Sequence, residues 1–219
     1  MTELLPEEQV TVKNYDKFAS AWASERNTKN FWAQELQRFH ELLPKGTILE
    51  IGSGHGRDAE DLLELGYDYV GTDISVGLIN IIRQRFPDQK FYQQSVYELD
   101  FQEGQNFDGF WAAAVLLHVP KSRMDEALQS IRRVVNTDAI GFISLKDGQG
   151  EGVQDDVVGR ETMRRFFSYW TKEDFTEVID ANGYEVVDYI YHPVSEKTKW
   201  HSFLVRTLGD QRLQNSQRC

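Results

Sequence analysis

The stretch "TILEIGSGHGRDAEDLLELG", Thr47 to Gly66, sets three glycines at alternate positions between an apolar run and an amphipathic one. The apolar run reads as a short buried strand and the amphipathic run as a helix. A glycine-rich turn at such a junction lets a ligand approach the backbone and meet the free amides of the helix N-terminus. One user of this device is a dinucleotide, whose fingerprint G-x-G-x-x-G, or alanine in the last place, needs a small residue there so that helix and strand pack closely. Counted from Gly52, the last place is Arg57 and the match fails. Counted from Gly54, the places are Gly54, Gly56 and Ala59, which match in form but begin two residues further from the strand than the tight turn requires. The pattern present is Glu50, Gly52, Gly54, Gly56, an E-x-G-x-G-x-G spacing.

Strand-like and helix-like runs take turns around this junction. Upstream, "YDKFASAWASERN" (Tyr15 to Asn27) is polar and aromatic, and "TKNFWAQELQRFHELLPKG" spaces Trp32, Leu36, Phe39 and Leu43 as the apolar stripe of a helix closed by Pro44 and Gly46. Downstream come "YVGTDI", "VGLINIIRQRF", "KFYQQ", "FDGFWAA", "SRMDEALQSIRRVVN" and "AIGFISLK". This alternation predicts parallel βαβ units in a doubly wound sheet. The last third changes character. A glycine-rich acidic loop, "DGQGEGVQDDVVGR", precedes a helix over "TKEDFTEVIDANGY", where Thr171 and Asp174 have capping-box spacing and Gly183 marks the stop. The β-like runs "YEVVDYIYH" and "WHSFLVRT", joined by "PVSEKTK", predict an antiparallel pair, and the polar tail "GDQRLQNSQRC" is expected to fray.

The 219 residues hold no internal repeat and no dividing linker, so a single α/β domain is expected. No apolar run approaches the ~18 residues needed to span a bilayer. The N-terminal "MTELLPEEQV" is acidic and lacks the blocks of a signal peptide, which predicts a soluble, cytoplasmic protein. The only cysteine, Cys219, is the last residue, which leaves no intramolecular disulfide, cysteine metal cluster or buried cysteine nucleophile. A net charge of −11 repels polyphosphate and anionic membranes and favours neutral or cationic partners.

The glycine pattern, together with Asp73 at the end of "YVGTD", resembles the class I S-adenosylmethionine-dependent methyltransferases over about residues 15 to 206. The resemblance implies a Rossmann-like α/β fold, with a mostly parallel seven-stranded sheet, an antiparallel C-terminal strand pair and an N-terminal helical lid. It divides one domain into a lid and helix (1–45), a cofactor-binding core (46–146), an acceptor-side loop, helix and C-terminal strands (147–209) and a tail (210–219). It implies S-adenosylmethionine as cofactor. The loop of Glu50, Gly52, Ser53, Gly54 and Gly56 would wrap its amino-acid end, and Asp73, with Ile74 beside it, would accept hydrogen bonds from the two ribose hydroxyls. A carboxylate can take both hydroxyl protons at once. Ser95 and Val96, in "QQSVYELDF", stand where the family has an acid and an apolar residue beside the adenine. The backbone near Trp111 and Ala112 would hold the methionine amino group, and Tyr15 and Trp22 resemble the aromatic pair of a lid.

Each of these residues has a plainer alternative: a tight turn for the glycines, a helix N-cap for Asp73 in "TDIS", and ordinary packing for Tyr15 and Trp22. His118, after the fourth strand, is a candidate general base for a hydroxyl or amine, or else a structural histidine. Lys146, Asp147, Glu151, Asp155, Asp156 and Arg160 lie where an acceptor would enter, and Phe166, Phe167, Tyr169 and Trp170 are either an apolar wall or core. The three aspartates could alternatively hold a divalent cation, although no metal site is expected from their spacing. The fourth strand is followed by "WAAA", with none of the proline-aromatic stretch of enzymes that methylate amino groups of DNA bases. The acceptor expected is a small molecule with an oxygen or nitrogen, with nucleic acid and membrane ranked down. The competing readings are a non-catalytic S-adenosylmethionine-binding protein, a protein or RNA methyltransferase that would use Arg132, Arg133, Arg164 and Arg165, and a nucleotide-dependent oxidoreductase.

Overall fold

A computed structural model describes residues 3–26, 28–102, 106–196 and 198–209. Two helices, α1 (Pro6–Glu25) and α2 (Ala33–Leu42), precede β1 (Thr47–Ile51). Then follow α3 (Arg57–Glu64), β2 (Asp68–Asp73), α4 (Val76–Arg85), β3 (Lys90–Gln93), β4 (Phe107–Ala112), α5 (Met124–Val134) and β5 (Val135–Lys146). The chain continues through β6 (Glu151–Val158), β7 (Glu161–Ser168), α6 (Lys172–Ala181), β8 (Tyr184–Pro193) and β9 (Lys199–Thr207). Cys219 and the tail from 210 onward lie outside the described residues.

Seven strands form one sheet in the order β3-β2-β1-β4-β5-β9-β8. The first five pair in parallel, and β9 runs antiparallel to both β5 and β8. This is the doubly wound, mostly parallel sheet with an antiparallel C-terminal pair that the sequence predicts. Strands covered on both faces have near-continuous apolar runs, and β1 and β4 are buried along almost their whole length. The core centres on Trp111 of β4, which stacks on Phe142 of β5 at 4.0 Å between ring centroids and meets Phe39 of α2 edge-on. Among the described residues no helix is long and apolar enough to cross a membrane.

The acidic stretch after β5 is not the loop expected from its glycines. β6 and β7 pair in register from Glu151↔Ser168 to Val158↔Glu161, as a separate two-stranded hairpin turning at Gly159 and Arg160. Its inner face buries Val158 and Met163 against Phe18 of α1. The polar, aromatic N-terminal segment is likewise helical, as the C-terminal half of α1. Thr11 Oγ1 accepts from the Phe166 amide at 2.8 Å, and Asn14 Oδ1 from the Arg164 amide at 3.1 Å, which ties α1 to β7. Asp16 Oδ1 accepts from the Ser75 hydroxyl (2.6 Å) and the Gly77 amide (3.0 Å), so a carboxylate sits on the free amides at the start of α4. Near the first turn, buried Glu8 accepts from the Tyr97 hydroxyl (2.5 Å) and from Arg123 (2.8 Å). Helix α1 is thus tied to its neighbours from Glu8 to Asp16 by side-chain hydrogen bonds.

The turn between β1 and α3 has φ of +70° at Gly52, +57° at Gly54 and +88° at Gly56. A Cβ on Gly52 would lie 2.5 Å from Val115 Cγ2, and one on Gly56 would lie 2.7 Å from the Phe86 ring. At Gly54 the nearest heavy atom would be 4.0 Å away. Protein packing thus excludes side chains at Gly52 and Gly56, and only Gly54 faces open space. Gly52→Ala should therefore lower unfolding stability by about 2–4 kcal/mol, from left-handed strain plus overpacking, against about 1 kcal/mol for Gly54→Ala. Urea denaturation of the two variants without ligand checks this, and equal losses would contradict the packing.

Candidate active site

The turn lies at the C-terminal ends of the parallel strands, where open α/β sheets place their ligand crevice. A cleft opens there between the β1–α3 turn, the end of β2 and the segments after β3 and β4, with α1 across it. At its centre is Asp73, the last residue of β2. Oδ2 accepts from the Gly54 amide at 2.9 Å and Oδ1 from the Ser75 amide at 2.8 Å. The N-cap of α4 is Ser75, whose hydroxyl accepts from Leu78, so Asp73 is not spent as that cap. Burial raises the Asp73 carboxyl to about 6, against the pull of its two amide hydrogen bonds.

Glu50, in β1, faces the same cleft and accepts from the buried Tyr69 hydroxyl. Burial, then the neighbouring Asp58, pushes its carboxyl well above the usual range. A buried acid in this state favours a cationic partner. Two further polar atoms of the turn, Ser53 Oγ and His55 Nε2, are buried at the cleft and have no hydrogen-bond partner of ordinary geometry among the described residues. Burial and the Arg57 and Arg85 guanidiniums lower His55 to about 4. Buried polar atoms are nearly always satisfied, so unsatisfied ones lining a cleft mark where a polar ligand sits. Together with the open face of Gly54, they fit a group with several hydrogen-bonding functions.

Of the residues singled out from sequence, Tyr15, Trp22, Glu50, Gly52, Ser53, Gly54, Asp73, Ile74, Ser95, Val96 and His118 all line this one cleft. Three do not. Gly56 N-caps α3 and packs on Phe86 and Ile82. Trp111 and Ala112 are buried in the core, and the Trp111 indole N–H donates to Asp58 at 3.1 Å. The strand reaches the cleft only two residues later, at Ala113 and Ala114. Residues not singled out also line it: His55, Arg57, Gln94 and Tyr97, and, along α1, Glu8, Thr11 and Arg26. Glu8, Thr11, Tyr15 and Trp22 are spaced 3, 4 and 7 apart, a single helical face that the sequence does carry.

Beyond Asp73, Tyr15 and His118 meet. The Tyr15 hydroxyl is 2.9 Å from His118 Nε2, and His118 Nδ1 is 2.6 Å from the Phe166 carbonyl oxygen. A carbonyl only accepts, so Nδ1 carries the proton, and Nε2 accepts from Tyr15. Burial, then Arg165, lowers the imidazole to about 3. His118 is therefore neutral, with both nitrogens engaged, an arrangement that fits the structural alternative for this histidine better than a free general base. Arg165 donates to the Tyr15 oxygen (3.1 Å) and to Asp156 (2.5 Å), and its guanidinium lies over the Trp22 ring at 4.7 Å. Trp22 meets Tyr15 edge-on at 5.3 Å. Phe166, Phe167 and Trp170 are buried, and Phe167 packs on His118 at 4.9 Å. The acidic residues of the hairpin region are engaged separately: Asp147 with Tyr191 and His201, Asp155 with Arg164, Asp156 with Arg165.

Residues 48–138 match the family model of a methyltransferase domain. No curated protein matches the chain in sequence. Among solved structures, the Burkholderia thailandensis 1,6-didemethyltoxoflavin-N1-methyltransferase, solved with 1,6-didemethyltoxoflavin and S-adenosylhomocysteine, superposes with a TM-score of 0.70 at 20% identity, covering 95% of this chain and 93% of that one. The CcbJ methyltransferase of Streptomyces caelestis gives 0.72 at 14% identity, covering 91% and 99%. The magnesium protoporphyrin IX methyltransferase of Synechocystis, solved with S-adenosylmethionine, gives 0.66 at 12%, covering 94% and 100%. Identities this low speak to the fold alone, and the domain model matches less than half of the chain. The chain thus has the class I methyltransferase fold, and its core, residues 48–138, matches the model of a methyltransferase domain.

Proposed function

We propose that the protein transfers the methyl group of S-adenosylmethionine to an oxygen or nitrogen of a small molecule, leaving S-adenosylhomocysteine. The observation that carries this reading is the cleft itself. It joins an acid at the end of β2, an open Gly54 and unsatisfied Ser53 and His55 to a separate polar pair, Tyr15 and His118. In this reading Glu50, Ser53, Ala113 and Ala114 hold the amino-acid end of the cofactor, Asp73 and Ile74 the ribose, and Ser95 and Val96 the adenine. Bound there, the cofactor supplies a methyl group already activated on a sulfonium. The chain's own part is to align the acceptor and exclude water, a contribution that reaches roughly 7–11 kcal/mol for well-oriented reactants. Tyr15 and Trp22 turn aromatic surface toward a sulfonium, which favours the cation and keeps water out.

Small-molecule specificity is supported by how closely α1 covers the cleft, with hydrogen bonds from Glu8 to Asp16. The relative from Burkholderia thailandensis, with its small heterocycle bound, is consistent with this. The arginines considered for nucleic-acid binding do not form one surface: Arg165 is buried under α1, and Arg132 donates to the Leu208 carbonyl. The test of the reading is to incubate the protein with methyl-labelled S-adenosylmethionine and a panel of phenols, carboxylic acids and amines. Label should reach one acceptor class, with S-adenosylhomocysteine formed in equal amount. Binding of S-adenosylhomocysteine with no turnover on any member would favour the non-catalytic alternative.

Asp73 gives the cofactor site a pH signature. An ionised carboxylate accepts two ribose hydroxyls, and a protonated one loses acceptor capacity. With the carboxyl raised to about 6, affinity for S-adenosylhomocysteine should be constant above neutrality and fall as pH drops below 6, by up to about ten-fold per pH unit. Asp73→Asn should bind about 1–3 kcal/mol more weakly at pH 8 and lose that limb. Calorimetric titrations of both proteins from pH 5 to 8 measure it. Parallel curves would assign Asp73 to the turn alone.

A further inference from the structure

One cation near His118 makes no ion pair among the described residues, the acid acting on it being Asp156, which is bound to Arg165. Lys146 ends β5, on the same rim of the sheet as the cleft. Its ammonium is half-buried, lies 4.1 Å from the centroid of the Phe167 ring, and has no hydrogen-bond or ion-pair partner among the described residues. The same ring is flanked by His118 at 4.9 Å and by the Arg165 guanidinium at 4.9 Å. The nearest acidic neighbour in sequence, Asp147, is turned to Tyr191 and His201. Asp156 is taken by Arg165 and, at 3.4 Å, by Arg26. Lys146 and Arg165 thus both lie over Phe167, and the carboxylate of Asp156 is already shared between Arg165 and Arg26.

A partly desolvated ammonium without an anion is costly, and burial with the nearby Arg165 lowers Lys146 to about 8. Charges in such a place are normally paired. In a protein with 35 acidic and 24 basic residues, leaving this cation unpaired when Asp and Glu are abundant is a local exception to the composition. Phe167 is buried between Lys146, Arg165 and His118, so an anion received here would meet the exposed side of the half-buried lysine. His118, with both nitrogens engaged, offers no free lone pair to deprotonate an acceptor, and an acceptor that arrives ionised does not need one.

We propose that the acceptor is a small organic oxyanion, a carboxylate, phosphonate or phenolate, whose charge is received by Lys146 beside Phe167. The inference rests on the methyl-transfer reading of the cleft and narrows its substrate class. It also reverses, at this one place, the preference for neutral or cationic partners that the net charge suggests.

The test uses the full-length protein saturated with S-adenosylhomocysteine and titrated with benzoate, phenylphosphonate and the neutral isostere benzamide. At least one anion should bind, and benzamide should bind about ten- to hundred-fold more weakly. Lys146→Met should remove the anion preference while leaving affinity for S-adenosylhomocysteine unchanged, and Lys146→Arg should restore it. Tighter binding of benzoate or of phenylphosphonate tells a singly charged from a doubly charged partner. Failure of both anions to bind the saturated complex, equal binding of benzamide, or an undiminished preference in Lys146→Met would overturn the inference and leave the cofactor site standing. Absence of S-adenosylhomocysteine binding would instead bring down the methyl-transfer reading, and this inference with it.

Discussion

The carboxylate of Asp73 joins the parts of the molecule that must stay in register for a cofactor site to exist. One oxygen fixes the amide of Gly54 in the turn after β1, and the other fixes the amide of Ser75 at the entry to α4. Two adjacent βα junctions are thereby set relative to each other by one buried acid. An ionised carboxylate has about four acceptor directions, so two amides leave it able to receive further donors from the cleft. Its raised pKa is the cost of burial, offset in part by those amides and increased by Asp16 of α1. An acid used for packing alone would be better replaced by an apolar side chain, which is why its place at the cleft centre points to a ligand.

Helix α1 turns this open crevice into an enclosed one. It reaches the cleft floor through polar contacts: Glu8 with Tyr97 and Arg123, Thr11 with the Phe166 amide, Asp16 with the start of α4, and Tyr15 with His118. The same helix also buries Phe18 against Val158 and Met163, so polar and apolar contacts together hold it across the cleft. The chain from Arg165 through Tyr15 to His118 and the Phe166 carbonyl fixes the His118 tautomer and the Tyr15 orientation together. It also couples α1 to the hairpin through Arg165 and Phe166.

Much of this was legible in the sequence. The alternating runs give the parallel sheet, "YEVVDYIYH" and "WHSFLVRT" give the antiparallel pair, and Thr171 caps α6 as its spacing with Asp174 indicates. What the sequence did not show has physical causes. Glycines and aspartates over residues 147–160 argue for a loop, yet β6 and β7 form a hairpin because α1 supplies the apolar partner for Val158 and Met163, a tertiary effect that local propensity does not contain. The reach of β4 was misjudged by two residues because "WAAA" has no polar marker of where the strand leaves the core: Trp111 and Ala112 are inside, Ala113 and Ala114 at the cleft. The three glycines share one backbone conformation but not one reason, and only coordinates separate Val115 and Phe86 from open space. His118 could be found by position alone, whereas its neutral, doubly engaged state depends on Phe166 and Tyr15, 48 and 103 residues away in the chain.

Methyl transfer in this cleft requires that it take the product, S-adenosylhomocysteine. Calorimetric titration of the purified protein with S-adenosylhomocysteine at pH 8 measures this most directly. One site per chain with micromolar affinity is the predicted result. No binding at millimolar ligand would contradict it, and would return Gly54, Asp73 and the unsatisfied Ser53 and His55 to a turn that serves the fold alone.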